Sequence, residues 1–124
     1  MTDSPVILVV DDSPLQRKIY AALLGSHGYT VVAAENGLEG VELALQHVPA
    51  LILMDVLMPE MDGPTAVQEL RRHPETARVP ILALTALSEP DERESLYQAG
   101  FDDIVDKKSE RDVLLQQVHH WLFG

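Results

Sequence analysis

The sequence contains no cysteine, few basic residues and no long apolar segment. Without cysteine, neither a disulfide framework nor a zinc–thiolate site is possible. Lys and Arg number 9 against 20 Asp and Glu, for a formal net charge of -11, whereas nucleic-acid binding needs a basic stripe that contacts phosphates. The composition therefore argues against direct nucleic-acid binding and favours a cation or a basic partner surface.

The apolar segments are too short for insertion into a membrane. None approaches the ~20 residues that a membrane helix needs, and the N-terminal stretch lacks the basic region of a signal peptide. The 124 residues, 46% of them hydrophobic, suit one folded domain over residues 1–124. We expect a cytoplasmic protein, and the start at Met1 favours a true N-terminus.

Short apolar runs alternate along the chain with segments of helical periodicity. The predicted strands are Val6–Val10, Thr30–Ala34, Ala50–Met54, Ile81–Leu84 and Ile104–Val105. Because these runs are continuous and do not alternate with polar residues, both faces of each strand should be buried, as in a parallel sheet. Strand–helix alternation predicts an α/β fold, a doubly wound parallel sheet with right-handed crossovers.

Polar residues mark the predicted starts of three helices. Ser13 stands before a proline, which is a favourable N-cap followed by a favourable first helical residue. Ser88 with Asp91 and Ser109 with Asp112 resemble capping boxes. We expect these serines to begin the first, fourth and fifth helices.

Acidic residues follow or end two of the predicted strands. Asp11 and Asp12 come directly after the first, and Asp55 comes after the third. In open parallel sheets, ligands bind at the carboxyl ends of the strands, so three carboxylates would meet there if these strands are neighbours. A single such Asp is usually a turn or cap residue, but three together would repel one another unless a cation is present. Mg²⁺ suits an open site of a few carboxylates and waters.

A hydroxyl and an ammonium group are predicted at the same edge. Thr85 follows the fourth strand, and Lys107 follows the fifth. Each alone is ordinary, but beside a metal they would cradle a tetrahedral phosphoryl group. The sequence thus predicts attack by Asp55 on phosphorus, with Mg²⁺ and Lys107 stabilising the charge and Thr85 holding an oxygen.

Four strings in this chain resemble the receiver domain of two-component response regulators: VILVVDDSP, LILMDVLMPEMDG, ILALTA and AGFDDIVDKK. Together they span essentially the whole chain in the expected order. The resemblance implies a flavodoxin-like sheet of five parallel strands in the order 2-1-3-4-5 with five helices, as in the chemotaxis receiver. It also implies a signalling domain that catalyses its own phosphorylation and dephosphorylation and is not a turnover enzyme.

The resemblance assigns roles that agree with the chemistry of the residues. Asp55 is the implied phosphoacceptor. The implied Mg²⁺ site consists of Asp11, Asp12, Asp55 and the backbone carbonyl of Leu57. Asp11 would act largely through a bound water. Lys107 would contact the phosphoryl oxygens, and Thr85 would move to meet them.

The resemblance also implies the partners. The phosphoryl donor would be a phosphohistidine on a sensor histidine kinase or a phosphotransfer protein. The output would pass to a downstream protein or to a C-terminal output domain missing from this chain. Leu15, Ile19 and the basic pair Arg17-Lys18 on the first predicted helix suit a docking face for the kinase, or simply form an ordinary amphipathic helix.

The sequence departs from the family pattern at a few positions. Lys108 follows the site lysine where the family usually has proline, so the Lys107–Lys108 bond is either trans or a strained cis bond. Ile104 replaces a common aromatic whose rotation accompanies switching. Leu57 and Leu87, each two residues beyond a site residue, suggest slow dephosphorylation by shielding the phosphoryl group from water.

Three other functions compete with a phosphorylated switch. An aspartate-nucleophile phosphatase usually has a second Asp two residues after the nucleophile, but here that residue is Leu57. A flavodoxin-type cofactor carrier needs a phosphate-binding loop, and the acidic string DDSP would repel phosphate. A pseudo-receiver that is never phosphorylated and acts as a protein-binding module is indicated only by Lys108 and Ile104.

Overall fold

The computed structural model describes residues 4–86 and 89–124. The strands are β1 (Val6–Val10), β2 (Thr30–Ala34), β3 (Leu51–Asp55), β4 (Ile81–Thr85) and β5 (Asp103–Asp106). The helices are α1 (Pro14–Gly25), α2 (Gly37–His47), α3 (Gly63–Arg72), α4 (Pro90–Ala99) and α5 (Arg111–Phe123). The strands form one parallel sheet in the order β2-β1-β3-β4-β5, which confirms the predicted fold class. Within the described ranges, no helix is long and apolar enough to cross a bilayer.

The sheet has an apolar core on each face. Along β1, Ile7 and Val9 belong to one core and Leu8 and Val10 to the other, because successive side chains of a strand point to opposite faces. The first core is completed by residues of α1 and α5, and the second by residues of α2, α3 and α4. Every residue of β3 and β4 is buried, which explains their continuous apolar sequences. Ile104 is also buried, in the second core.

Helix starts follow the sequence signals only in part. Ser13 caps α1 as predicted, since its Oγ accepts a hydrogen bond from the Gln16 N–H at 3.3 Å. The prediction that Ser109 caps α5 is wrong. Glu110 holds that position, and the Ser109 hydroxyl donates to the Asp106 carbonyl, which closes the turn after β5. Ser88 lies outside the described residues, but the N-cap position of α4 is Glu89, so the prediction that Ser88 begins this helix is also wrong.

The remaining predicted boundaries are correct to within about two residues. Strand β3 is displaced by one position, so that it ends at Asp55 and excludes Ala50. β4 and β5 likewise end in polar residues, and the register pairs Thr85 with Asp106 across them. The Lys107–Lys108 bond is trans, one of the two predicted arrangements. The strand ends that carry the predicted site residues therefore lie at one edge of the sheet.

Candidate functional site

Three carboxylates converge where β1 and β3 end. Strands β1 and β3 are paired neighbours, in register from Ile7↔Leu51 to Val10↔Met54. One carboxylate oxygen from each of Asp11, Asp12 and Asp55 lies within 4.8 Å of those of the other two. Asp11 and Asp55 are buried, and Asp12 is exposed. The structure thus brings together the three acidic residues that the sequence placed at this edge.

Lys107 is the positive group of this cluster. Its Nζ lies 3.1 Å from Asp55 Oδ1 and 3.6 Å from Asp11 Oδ2. The backbone of Lys107 is fixed by its N–H, which donates to the Thr85 carbonyl at 2.9 Å. Thr85 itself is buried at the end of β4. Both residues therefore lie at the same edge as the carboxylates.

The environment raises the pKa of the Asp55 carboxyl above its ordinary value. Burial is the largest cause, because it disfavours the charged form. The hydrogen bond and positive charge of Lys107 lower the pKa, while the negative charges of Asp11 and Asp12 raise it. One ammonium group therefore does not offset the burial and mutual repulsion of these carboxylates.

Tyr20 is a part of this environment that sequence reasoning missed. Burial, followed by the charges of Asp11 and Asp55, raises the pKa of the Tyr20 phenol to about 12. The phenol therefore stays neutral beside the acidic cluster. The sequence feature that could have indicated its burial is the four-residue spacing of Tyr20 and Leu24, which places both on the apolar face of α1, where both are buried.

The donor set fits a hard divalent cation. Asp11 Oδ2 is buried and has no hydrogen-bond partner among the described residues. A buried carboxylate oxygen without a hydrogen bond is costly, and the ion pair with Lys107 at 3.6 Å does not supply one. Carboxylate oxygens at an open edge are the ligands that Mg²⁺ binds together with water. Leu57, whose backbone carbonyl is the fourth expected ligand, lies in the loop after β3 and is 71% exposed.

The loop after β3 packs closely against the site. The Gly63 N–H donates to the Val56 carbonyl at 2.9 Å, and a Cβ on Gly63 would lie 2.6 Å from the Asp55 carbonyl oxygen. A Cβ on Gly37, at the start of α2, would lie 2.1 Å from the Met61 carbonyl oxygen. Glycine at these two positions therefore permits the loop to approach Asp55 and α2. Sequence reasoning did not assign a role to either glycine.

The first helix differs from the predicted docking face at Arg17. Leu15 and Ile19 are exposed, at 65% and 40%, as such a face requires. Arg17 instead turns back to the strand end, and its Nη1 donates to the Asp11 carbonyl at 2.7 Å. Lys18 is exposed. Of the predicted basic pair, Arg17 therefore contacts the site and Lys18 lies at the surface.

A separate charged group lies at the start of β5. Burial alone would raise the pKa of Asp103, but hydrogen bonds from the Trp121 indole, the Ile104 N–H, the Gln117 amide and the Tyr97 hydroxyl lower it overall. The shortest of them run from Ile104 N at 2.8 Å and from Trp121 Nε1 at 2.9 Å. Asp103 therefore links α4, β5 and α5 in its ionised form.

Comparison with known proteins agrees with this geometry. The model of the response regulator receiver domain matches residues 7–119. The protein PilH of Pseudomonas aeruginosa is 35% identical over 118 residues, which cover 95% of this chain and 98% of PilH. The hybrid signal transduction histidine kinase D of Dictyostelium discoideum is 37% identical over 116 residues, which cover 94% of this chain and 7% of the kinase.

A solved structure shows the same arrangement of the backbone. It is the receiver domain of the sensor histidine kinase PA1611 from Pseudomonas aeruginosa PAO1, which is described with a magnesium ion coordinated in its active-site cleft. The TM-score is 0.91 at 35% sequence identity, over 98% of this chain and 99% of that one.

Proposed function

Because the chain belongs to the receiver-domain family of two-component response regulators, we propose that it is a phospho-accepting switch whose acceptor is Asp55. The observation that carries this proposal is the position of Lys107 Nζ, 3.1 Å from Asp55 Oδ1 inside a cluster of three carboxylates. A structural ion pair needs one carboxylate, and the two further acids are explained by a cation site.

The proposed reaction forms an acyl phosphate on Asp55. A carboxylate oxygen of Asp55 bonds to the phosphorus of a phosphohistidine, while the bond from phosphorus to the imidazole nitrogen breaks and that nitrogen keeps the electron pair. Lys107 stabilises the negative charge on the phosphoryl oxygens, and the Thr85 hydroxyl donates a hydrogen bond to one of them. Receiver domains are signalling modules, so the product is a changed contact surface and not a released metabolite.

Mg²⁺ is the proposed cofactor. Asp12, Asp55 and the Leu57 carbonyl would hold it, with Asp11 acting through water. When bound, the ion supplies positive charge that stabilises the transferring phosphoryl group. The buried Asp11 Oδ2 without a hydrogen-bond partner supports this assignment.

The proposed partners follow from the chemistry of the donor. A histidine kinase or a phosphotransfer protein of the cytoplasm would present the phosphohistidine. Phosphorylation would shift an existing equilibrium between arrangements of the loops after β4 and β5, which a downstream protein or an output domain would recognise.

We also propose that the phosphorylated form is long-lived. Leu57 lies in the loop beside Asp55 and is 71% exposed, so its side chain is available to cover a phosphoryl group. Leu87, the second residue of this hypothesis, lies outside the described residues. A lifetime of only seconds for the isolated phosphoprotein would contradict the hypothesis.

The proposed function is tested by intact-protein mass spectrometry after incubation with acetyl phosphate. The expected result is one added phosphoryl group that requires both Mg²⁺ and Asp55, and that disappears in Asp55→Asn. Asp62→Asn is the matched control. Asp62 is an exposed acid in the loop that follows β3. Its Oδ1 accepts the cap hydrogen bond from the Thr65 N–H, and an asparagine would accept the same bond.

Two results would count against the proposal. An adduct that persists in Asp55→Asn would show another acceptor. If acetyl phosphate gave no adduct and a beryllofluoride–Mg²⁺ mimic also failed to bind, the chain would be a pseudo-receiver that acts as a protein-binding module.

A further inference from the structure

A guanidinium group reaches back from α1 to the residue that follows β1. The Nη1 of Arg17, a partly buried side chain, donates to the backbone carbonyl of Asp11 at 2.7 Å, across six residues of sequence. The N–H of Arg17 also donates to the Ser13 carbonyl at 3.0 Å in the first turn of the helix. Residues 11–13, which we term the β1–α1 turn, are therefore closed by Arg17 at both ends.

Asp11 is held through nearly all of its polar atoms. Its N–H donates to the Ala34 carbonyl at 3.1 Å, its carbonyl accepts from Arg17, and its Oδ1 accepts from the Ser13 N–H at 3.0 Å. The remaining atom is Oδ2, which has no hydrogen-bond partner in the described part of the chain and lies 3.6 Å from Lys107 Nζ. Asp11 is therefore held in place, and Oδ2, which has an ion pair with Lys107 but no hydrogen bond, is the oxygen that an incoming positive ligand would meet.

We propose that Arg17 is a positioning residue for divalent-cation binding. It fixes the carbonyl of Asp11, and thereby the direction in which the chain continues to Asp12. This inference rests on the proposed function, because the cation is that of the phosphorylation site. It adds a residue that touches neither the cation nor the phosphoryl group.

The geometry explains why an arginine suits this position. A ligand set binds a cation tightly when the groups around it hold the ligands in place before the ion arrives. The planar guanidinium is preorganised to donate in fixed directions, whereas a lysine ammonium is a flexible point charge. Without Arg17, the Asp11 carbonyl would lose this partner and the turn would sample other conformations.

The chain supplies a matched control in Lys18. Lys18 is the next residue, is exposed, and its side chain makes no hydrogen bond or ion pair within the described ranges. Arg17→Met and Lys18→Met remove the same charge at adjacent positions. They differ in that only Arg17→Met removes the bond to Asp11.

The test measures Mg²⁺ affinity of the unphosphorylated chain by isothermal titration calorimetry at physiological ionic strength. Arg17→Met should weaken Mg²⁺ binding on the order of tenfold, the size seen when groups that orient metal ligands are removed. Lys18→Met should stay within about twofold, because salt screens an exposed charge. Amide hydrogen exchange of Ser13, measured without Mg²⁺, should be faster in Arg17→Met and unchanged in Lys18→Met.

The outcomes separate this inference from the proposed function. Equal Mg²⁺ affinities of the two variants, with Ser13 protected in both, would overturn the role of Arg17 and leave the proposed function intact. Absence of Mg²⁺ binding by the wild-type chain would overturn the cation site itself, and with it the role of Arg17 in cation binding. If Arg17→Met does not fold, Arg17→Gln and Lys18→Gln give the same comparison.

Discussion

Replacing Arg71 by methionine should destabilise the fold, although Arg71 lies outside the acidic site. Within residues 4–86 and 89–124, the Arg71 guanidinium makes five hydrogen bonds to four acceptors. Three of the acceptors are backbone carbonyls, those of Ala77, Val79 and Gly100, and the fourth is Asp102 Oδ2 at 2.7 Å. A single side chain thus joins the end of α3 to the segments that precede β4 and β5.

The expected loss of stability follows from the hydrogen bonds that the four acceptors of Arg71 lose. Each unpaired carbonyl costs about 1 kcal/mol in this partly buried setting. The ion pair with Asp102, whose two side chains are 22% and 34% exposed, is partly screened and adds at most about 1 kcal/mol. We therefore expect Arg71→Met to lower the free energy of unfolding by about 3 kcal/mol, which corresponds to a fall in Tm of about 10 °C for a chain of this length.

The measurement is urea unfolding followed by circular dichroism, with Arg72→Met as the control. Arg72 is 75% exposed, and among the described residues its one ion pair is with Glu69 at 3.3 Å, so its loss should change stability by less than about 0.5 kcal/mol. If the free energies of unfolding of the two variants differ by less than about 1 kcal/mol, the reasoning is refuted. Such a result would mean that water replaces Arg71 as a hydrogen-bond donor to these carbonyls at no cost.

Three further changes test other features of the fold. Val48, the C-cap residue after α2, has φ 43°, a region that disfavours β-branched residues. Val48→Gly should therefore stabilise the chain by about 0.5–1 kcal/mol in thermal unfolding, and a lower Tm would contradict this. Gly37→Ala should destabilise the fold by about 2 kcal/mol, because the added Cβ would meet the Met61 carbonyl. As a control, Gly25→Ala adds a Cβ that meets no atom within 4 Å, so it should be neutral or slightly stabilising in the same assay. The pKa of Asp103 is lower in the folded chain than in the unfolded chain. The ionised carboxylate therefore stabilises the fold above the unfolded-state pKa of about 4. This stabilisation is lost as the pH falls through the lower folded-state pKa. Urea unfolding of Asp103→Asn should accordingly show a larger loss at pH 7 than at pH 3, and an equal loss at both would exclude the linkage.

The order of strands and helices was predictable because it depends on local pattern. Continuous apolar runs such as Val6–Val10 are required wherever a strand is buried on both faces, and Ser13 before proline begins a helix by its own backbone chemistry. The convergence of Asp11, Asp12 and Asp55 was likewise predictable, because parallel strands end at one edge and the strand order implied by the resemblance makes the first and third strands neighbours. The sequence by itself therefore determined the fold class and the candidate site.

Other features depend on contacts between segments that no local pattern encodes. Arg17 and Lys18 are adjacent basic residues, yet only Arg17 reaches Asp11, because the direction of α1 away from β1 decides which side chain faces the strand end. Arg71 and Arg72 differ in the same way. Arg71 binds backbone carbonyls of distant segments, whereas Arg72 is exposed to solvent. Ser109 carries a cap signal but lies one residue before the N-cap residue Glu110, where its hydroxyl donates to the Asp106 carbonyl in the turn after β5. In each case the residue type permits more than one arrangement, and the packing of the helices against the sheet selects one.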